Sequence, residues 1–182
     1  GGGALLSDDD ELISRSRFLA TQARDQAPHY QHSTIGYNYR MSNIVAGIGR
    51  GQMEVLDERV EKRRENFFYY KEQLSGVNGI SFQEEPNTDY YSNHWLTTIL
   101  IDPQKSKGKT REDLRLYLES KNIETRPLWK PMHLQPVFAM CPAYTNGVSD
   151  RLFETGLCLP SSSNITNDER DTVVSSIKEI LL

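Results

Sequence analysis

Apolar residues at the start of this chain fall at helical intervals. Leu12, Ile13, Ser16, Leu19 and Ala20 keep one face largely apolar, as an amphipathic helix requires. Ser7, followed by Asp8, Asp9 and Asp10, is a helix-start signal, because a hydroxyl can accept from free N–H groups and acids suit the positive dipole end. The pattern predicts a helix from there to about Arg24, with Ser7 as cap and Ala4-Leu5-Leu6 as a short apolar strand ahead of it. A second helix is expected from Ser42 or Asn43, and helical spacing continues through Met53, Leu56, Val60, Phe67, Tyr70 and Leu74. Around it, Glu58, Arg59, Glu61, Lys62, Arg63, Arg64 and Glu65 predict a solvated face.

After Gly76 the pattern shortens to strands. Ile80 to Phe82 and Trp95 to Ile101 are rich in branched and aromatic residues. Thr110 and Asp113 form a cap-like spacing for a helix to Lys121 with Leu114, Tyr117 and Leu118 inward. Ile123 to Arg126 predicts the next strand, halted by Pro127; a helix follows around Asp150 to Thr155, then a short buried strand or turn at Leu157 to Pro160. Thr166 and Glu169 form a capping box for a last helix that turns Val173, Val174, Ile177, Ile180 and Leu181 inward. The element order predicts an α/β architecture: the tail of a large layered domain over residues 1–65 and a small α+β domain over 66–182.

The remaining composition narrows the function classes. With 182 residues the chain holds one ordinary domain, or a small domain plus part of a larger one. A net charge of -4 gives no basic field for nucleic acid or an anionic membrane. Cys141 and Cys158 lie in no zinc-ligand or disulfide pattern, so no metal is expected. No apolar run approaches the roughly 18 residues of a membrane span, and no signal-peptide pattern opens the chain. A soluble, cytoplasmic protein is expected. There is no initiator methionine, and the chain is expected to begin inside a domain.

Two loops are candidates for chemistry. The first combines His29, Tyr30, Gln31 and His32 with Gly36-Tyr37-Asn38-Tyr39-Arg40-Met41-Ser42-Asn43. An amide, a guanidinium and a helix N-terminus within a few residues suit a phosphate; a surface turn whose Arg40 pairs with a neighbour fits equally well. The second, Arg126 to Pro136, is stiffened by prolines. It offers Arg126, Lys130 and His133 beside Trp129, an indole able to stack on a ring or sugar face. A rigid connector explains it as readily. The GIGRG string at 47–51 lacks the preceding strand of a phosphate loop.

GYNYRMSNIVAGIGRGQ, RPLWKPMHLQPVF and LCLPSSSNITNDE together resemble the DegT/StrS-type pyridoxal-phosphate-dependent nucleotide-sugar aminotransferases, over practically the whole chain. ARDQAPHYQHSTIGYNYRMSN and ETRPLWKPMHLQP are most similar to the branch that aminates a UDP-linked 4-keto-6-deoxy-N-acetylhexosamine. The resemblance implies the C-terminal part of a fold-type I aminotransferase that uses pyridoxal 5'-phosphate and works as a homodimer in polysaccharide biosynthesis. It implies a UDP-sugar acceptor and an amino donor such as glutamate. Asn38 matches the asparagine that reaches a cofactor phosphate across the dimer, with Arg40 as a second anion contact. His29, Tyr30 and His32 match a loop near the partner's site, and Trp129, Lys130 and His133 match positions near the nucleotide sugar. The cofactor-bearing lysine is expected upstream of Gly1, since residues 1–61 contain no lysine. No catalytic residue is therefore assigned to this chain, which is expected to be inactive alone. Asn146-Gly147-Val148-Ser149-Asp150 departs from the commoner Gly-Asp-Phe-Pro string of the family. A sugar dehydratase of the same family, carrying histidine for the lysine, and a non-catalytic binding module are the alternatives.

Overall fold

A computed structural model describes residues 3–182; Gly1 and Gly2, the start of the glycine-rich opening, lie outside the described residues. The chain divides into two compact units, Gly1–Leu56 and Asp57–Leu182.

In the first unit, Ala4-Leu5-Leu6 forms no strand and is exposed. A strand needs a partner for its backbone groups, and this segment has none among the described residues. Helix α1 spans Asp10–Ala20, capped by Asp9 rather than Ser7. The Asp9 carboxylate accepts from the amides of Glu11 (2.9 Å) and Leu12 (3.0 Å), while the Ser7 hydroxyl accepts from the Asp9 amide. A charged acceptor two residues nearer the first turn displaces the hydroxyl. The helix stops short of Arg24 because Gln22 and Ala23 turn left-handed, with φ of 70° and 48°. Helix α2, Asn43–Glu54, begins at the Ser42 cap. Neither helix fully buries a residue, and the apolar face expected of α1 is only half-covered at Ile13, Leu19 and Ala20.

The second unit opens with α3, Leu56–Leu74, which runs unbroken through residues 65 and 66. The helical spacing read from Ile44 to Leu74 is interrupted at Val55, so α2 and α3 are separate helices. Strands β1 (Ile80–Phe82), β2 (Thr97–Ile101), β3 (Arg126–Pro127) and β4 (Gly156–Leu159) form an antiparallel sheet in the order β1-β2-β4-β3. Helices α4 (Arg111–Ser120), α5 (Val148–Thr155) and α6 (Asn167–Leu181) complete the unit. The register pairs Thr97 with Leu159 and Ile99 with Leu157. That phase places Thr97, Ile99, Ile101, Leu157 and Leu159 on one face. Tyr70 and Leu74 of α3, Leu114 and Leu118 of α4, and Val173, Val174, Ile177 and Leu181 of α6 are buried with those strand aliphatics in one core.

Both predicted capping boxes close, Thr110 with Asp113 and Thr166 with Glu169. Two strand expectations are shortened. Strand β2 starts at Thr97, not Trp95, because His94 is left-handed (φ 43°) and the Thr97 amide donates to the Ser161 hydroxyl. Strand β3 holds only Arg126 and Pro127: Ile123 spends its amide on the Leu118 carbonyl (2.9 Å) after a left-handed Asn122, ending α4 instead. Pro127 does not halt the strand; it pairs with Leu157 at the sheet edge, where a missing N–H is tolerated.

Tyr70 is fully buried, and its hydroxyl donates to the Pro160 carbonyl at 3.0 Å, tying α3 to the chain leaving β4. Burial pushes its phenol pKa upward, which keeps the hydroxyl protonated and donating. Leu118→Ala, at a site with no solvent exposure, should lower unfolding free energy by about 2–5 kcal/mol; a shifted urea midpoint with an unchanged slope checks it.

Candidate functional site

The first loop is built back onto the end of α1. The Tyr37 amide donates to the Leu19 carbonyl (2.8 Å), the Gln22 amide to Tyr37 (3.0 Å) and the Tyr39 amide to Ala20 (3.0 Å), with Thr21 and Asn38 bridged between them. Gly36 makes the approach possible: a Cβ there would lie 2.3 Å from the backbone of Gln22 and Ala23. Inside the loop, the Asp25 carboxylate accepts from the Ser33 hydroxyl (2.7 Å) and the Gln31 amide (3.1 Å), which together hold its pKa below the usual carboxylate range.

That scaffold engages three of the expected site residues. The His32 Nδ1–H donates to the Gln22 carbonyl at 2.9 Å, and the His29 Nε2–H donates to the Gln31 side-chain oxygen at 3.3 Å. Tyr30 is exposed beneath the Arg24 guanidinium, 4.3 Å from its ring centroid. These three side chains therefore brace the loop as well as facing outward. Asn38 and Arg40 differ, because both side chains are exposed and neither is hydrogen-bonded or ion-paired among the described residues. The pairing of Arg40 with a neighbour, left open by the sequence, does not occur among the described residues.

Arg40 stands two residues before the Ser42 cap, whose hydroxyl accepts from the Val45 amide at 3.3 Å. The first turn of α2 keeps further N–H groups that no helix carbonyl reaches. An amide, a guanidinium and unpaired backbone donors form an oxyanion-type donor set, chemically matched to a phosphate. This set fits the phosphate end of pyridoxal 5'-phosphate. It contains no lysine to attach the cofactor covalently.

The second loop follows β3 in the second unit. Leu128 is wedged against β4: a Cβ on Gly156 would lie 2.2 Å from the Leu128 side chain. Trp129, next along, is two-thirds exposed and faces Trp95 with ring centroids 5.9 Å apart and planes tilted by 37°. Lys130 is exposed, and its ammonium has no partner among the described residues. His133, in a short 3-10 turn (Met132–Leu134), is half-buried, with Nε2 2.8 Å from the Asp150 carboxylate in the first turn of α5. Asp150 belongs to the string that departs from the family pattern, and here it orients the histidine.

Sequence reading missed the groups that hold this region. Arg63 and Arg64 are not a solvated face. Arg63 donates to the carbonyls of Trp95 and Ser161 (the latter 3.0 Å), and Arg64 donates to Glu85 (2.9 Å) and to the Ser92 carbonyl while lying over the Tyr91 ring. Their alternation with glutamates looked like a helix surface, and no local signal marks the carbonyls they reach. His94 was also missed: it is buried, stacked on Phe67 at 3.7 Å, and its Nε2 lacks a hydrogen bond. Burial first, then the nearby Arg64 charge, pull its pKa down, against Glu85. An open concavity of about 1090 Å³ runs from Trp95 and Trp129 past Arg126 and Ser162 to Asp168. Among the described residues, no cluster of His, Cys, Asp and Glu could hold a metal ion, and no helix is long and apolar enough to cross a membrane.

Residues 1–178 match the profile of the DegT/DnrJ/EryC1/StrS aminotransferase family. The chain is 50% identical to EpsN of Bacillus subtilis (strain 168), provisionally named a pyridoxal phosphate-dependent aminotransferase, across 100% of this chain and 46% of that protein. It is 31% identical to GDP-perosamine synthase of Escherichia coli O157:H7, over 98% of this chain and 47% of the relative. The chain thus spans about half the length of the curated relatives it matches. In fold it resembles the aminotransferase TlmJ of Streptoalloteichus hindustanus, with a TM-score of 0.82 at 23% identity, covering 96% of this chain and 46% of that one.

Two outcomes follow from the packing. Gly156→Ala should cost about 1–3 kcal/mol by overpacking against Leu128 and should shift tryptophan emission, as read by denaturation and fluorescence. For His94, a folded pKa below the unfolded value of about 6.5 means its contribution is fully present above that pH and is lost as pH falls toward the folded value. The urea midpoint should therefore drop between pH 7 and pH 5, and His94→Phe should flatten that slope.

Proposed function

Because the chain belongs to the DegT/DnrJ/EryC1/StrS aminotransferase family, we propose that it is the C-terminal part of a pyridoxal-phosphate-dependent enzyme acting on a nucleotide-linked sugar. The acceptor is a 4-keto-6-deoxy sugar carried on UDP, the amino donor is glutamate, and the enzyme is a cytoplasmic homodimer serving surface glycan synthesis. The single observation that carries this reading is the unengaged pair Asn38 and Arg40 ahead of the capped start of α2, on a loop whose backbone is otherwise tied down.

When bound, the cofactor supplies an electron sink for the proton and amino-group transfers. The work of this chain is positioning. Asn38 donates its amide N–H and Arg40 its guanidinium N–H groups to the phosphate, and neither side chain has a partner to give up among the described residues. His29, Tyr30 and His32, on the same loop, contact the substrate near the partner subunit's site. Trp129 offers a face to the nucleotide sugar, Lys130 offers charge to its diphosphate, and His133, oriented by Asp150, offers the opposite ring nitrogen. The proton-moving lysine is assigned upstream of Gly1. Names among the relatives support a sugar-nucleotide acceptor, since one is a GDP-perosamine synthase.

Pyridoxal phosphate mixed with the purified 182-residue chain and reduced with borohydride should leave no stoichiometric adduct on a single residue; such an adduct would overturn the assignment of the lysine upstream. The coding sequence ahead of Gly1 should encode that lysine; histidine there would mean a dehydratase. In the full-length dimer, Arg40→Ala should weaken cofactor retention roughly tenfold or more, the scale of hydrogen bonds to a charged group, as measured by equilibrium dialysis.

A further inference from the structure

Trp95 is assigned no role by the motifs that point to Trp129, and it lies 34 positions earlier in the chain. Yet the two indoles stand together as one exposed feature. Their centroids are 5.9 Å apart, and 57% and 67% of the two residues is solvent-accessible. Neither indole N–H has a partner among the described residues. Such an arrangement leaves large aromatic area uncovered by this chain's own described residues, while the backbone at both tryptophans is held. The Trp95 backbone is held by Arg63 at its carbonyl and by the Asn93 side chain at its amide (3.1 Å), while Trp129 is fixed through Leu128 against Gly156. Lys130, without an ion pair among the described residues, follows Trp129 directly.

We propose that Trp95 and Trp129 together form the platform on which the nucleobase of the nucleotide-linked substrate stacks, with Lys130 beside it for the diphosphate. This rests on the nucleotide-sugar reading above and adds to it the residue, Trp95, and the part of the ligand it meets. A flat, delocalised base matches the exposed indole faces, for which offset or edge-on stacking at centroid separations of about 4.5–7 Å is favourable. Stacking is tolerant of base identity because every base has a π-face, so the platform supplies affinity and leaves discrimination between uracil and guanine to polar groups. The tilt of 37° makes the pair a wedge rather than a parallel sandwich. A base therefore covers one indole face and abuts the edge of the other. A free ammonium next to an aromatic platform is the combination that a base joined to a diphosphate requires.

The chain contains only two tryptophans, so its tryptophan fluorescence reports this pair alone. Titrating the 182-residue chain with UDP or GDP should quench that emission saturably, whereas inorganic pyrophosphate should not. Trp95→Leu and Trp129→Leu should each weaken the apparent affinity roughly tenfold, the scale of one lost stacking contact, with melting temperatures close to the parent's because both side chains are exposed. Lys130→Ala should weaken UDP but leave uridine unchanged. Absence of a saturable response to either nucleotide would overturn the proposal, as would equal binding by Trp95→Leu. Emission that changes only with protein concentration would assign the patch to a protein contact and also overturn it. In the full-length enzyme, Trp95→Leu should raise KM for the nucleotide sugar with little change in kcat. Amination with an unchanged KM would sink the platform and spare the transferase reading; nucleotide binding without amination would do the reverse.

Discussion

The small unit depends on one guanidinium. Arg63, on α3, donates to the carbonyl of Trp95 and to that of Ser161, which lie where the chain enters β2 and where it has left β4. Those are the two central strands, paired from Thr97–Leu159 to Leu100–Gly156. A single charged group thus fixes α3 to both strands at the same end of the sheet, and satisfies two carbonyls that no strand neighbour takes. Five fixed donors on a planar group make arginine suited to that task where lysine would supply a mobile point charge. The Thr97 amide, donating to the Ser161 hydroxyl at 2.8 Å, closes the same junction from within.

What this junction carries outward is the aromatic edge of the unit. Trp95 follows from the position of its backbone, and Tyr91 from Arg64, one residue along the same helix turn. The anchoring is therefore concentrated at α3 and divided between atoms: guanidinium groups and carbonyls hold the frame, and the faces of Trp95 and Trp129 are left uncovered by this chain. The same division governs the other unit. There, backbone bonds between the 36–39 segment and the end of α1 shape the loop, while the Asn38 and Arg40 side chains take no part in it. A loop built this way leaves the Asn38 and Arg40 side chains without a hydrogen-bond partner among the described residues.

The departures from expectation have a common form. Asp9 replaced Ser7 as a cap, β3 shrank to two residues and Trp95 fell outside β2, each because a backbone group found another partner: a carboxylate, the Leu118 carbonyl at the end of α4, and the distant Ser161 hydroxyl. Helix α1 presented an apolar face of which Leu12 is exposed and Ile13, Leu19 and Ala20 are only half-buried, so spacing alone marked a face without saying how far this chain covers it. The left-handed residues Gln22, Ala23, His94 and Asn122 set where elements end, and none is a glycine that would have advertised the turn.

By itself the sequence determined what depends on near neighbours along the chain. The boxes at Thr110–Asp113 and Thr166–Glu169, the inward stripe of α6, the resemblance to an aminotransferase family and the donor-rich character of the 36–43 segment all follow from residue types a few positions apart, whereas the freedom of Asn38 and Arg40 does not. Tertiary structure decided the rest: the sheet order β1-β2-β4-β3, the binding of Arg63 to carbonyls 32 and 98 positions away, the pairing of His133 with Asp150 and the meeting of Trp95 with Trp129. Spacing encodes a helical turn or a strand's alternation because geometry repeats over a few residues. Contacts across tens of residues are set by how the whole core closes, and no local period records them.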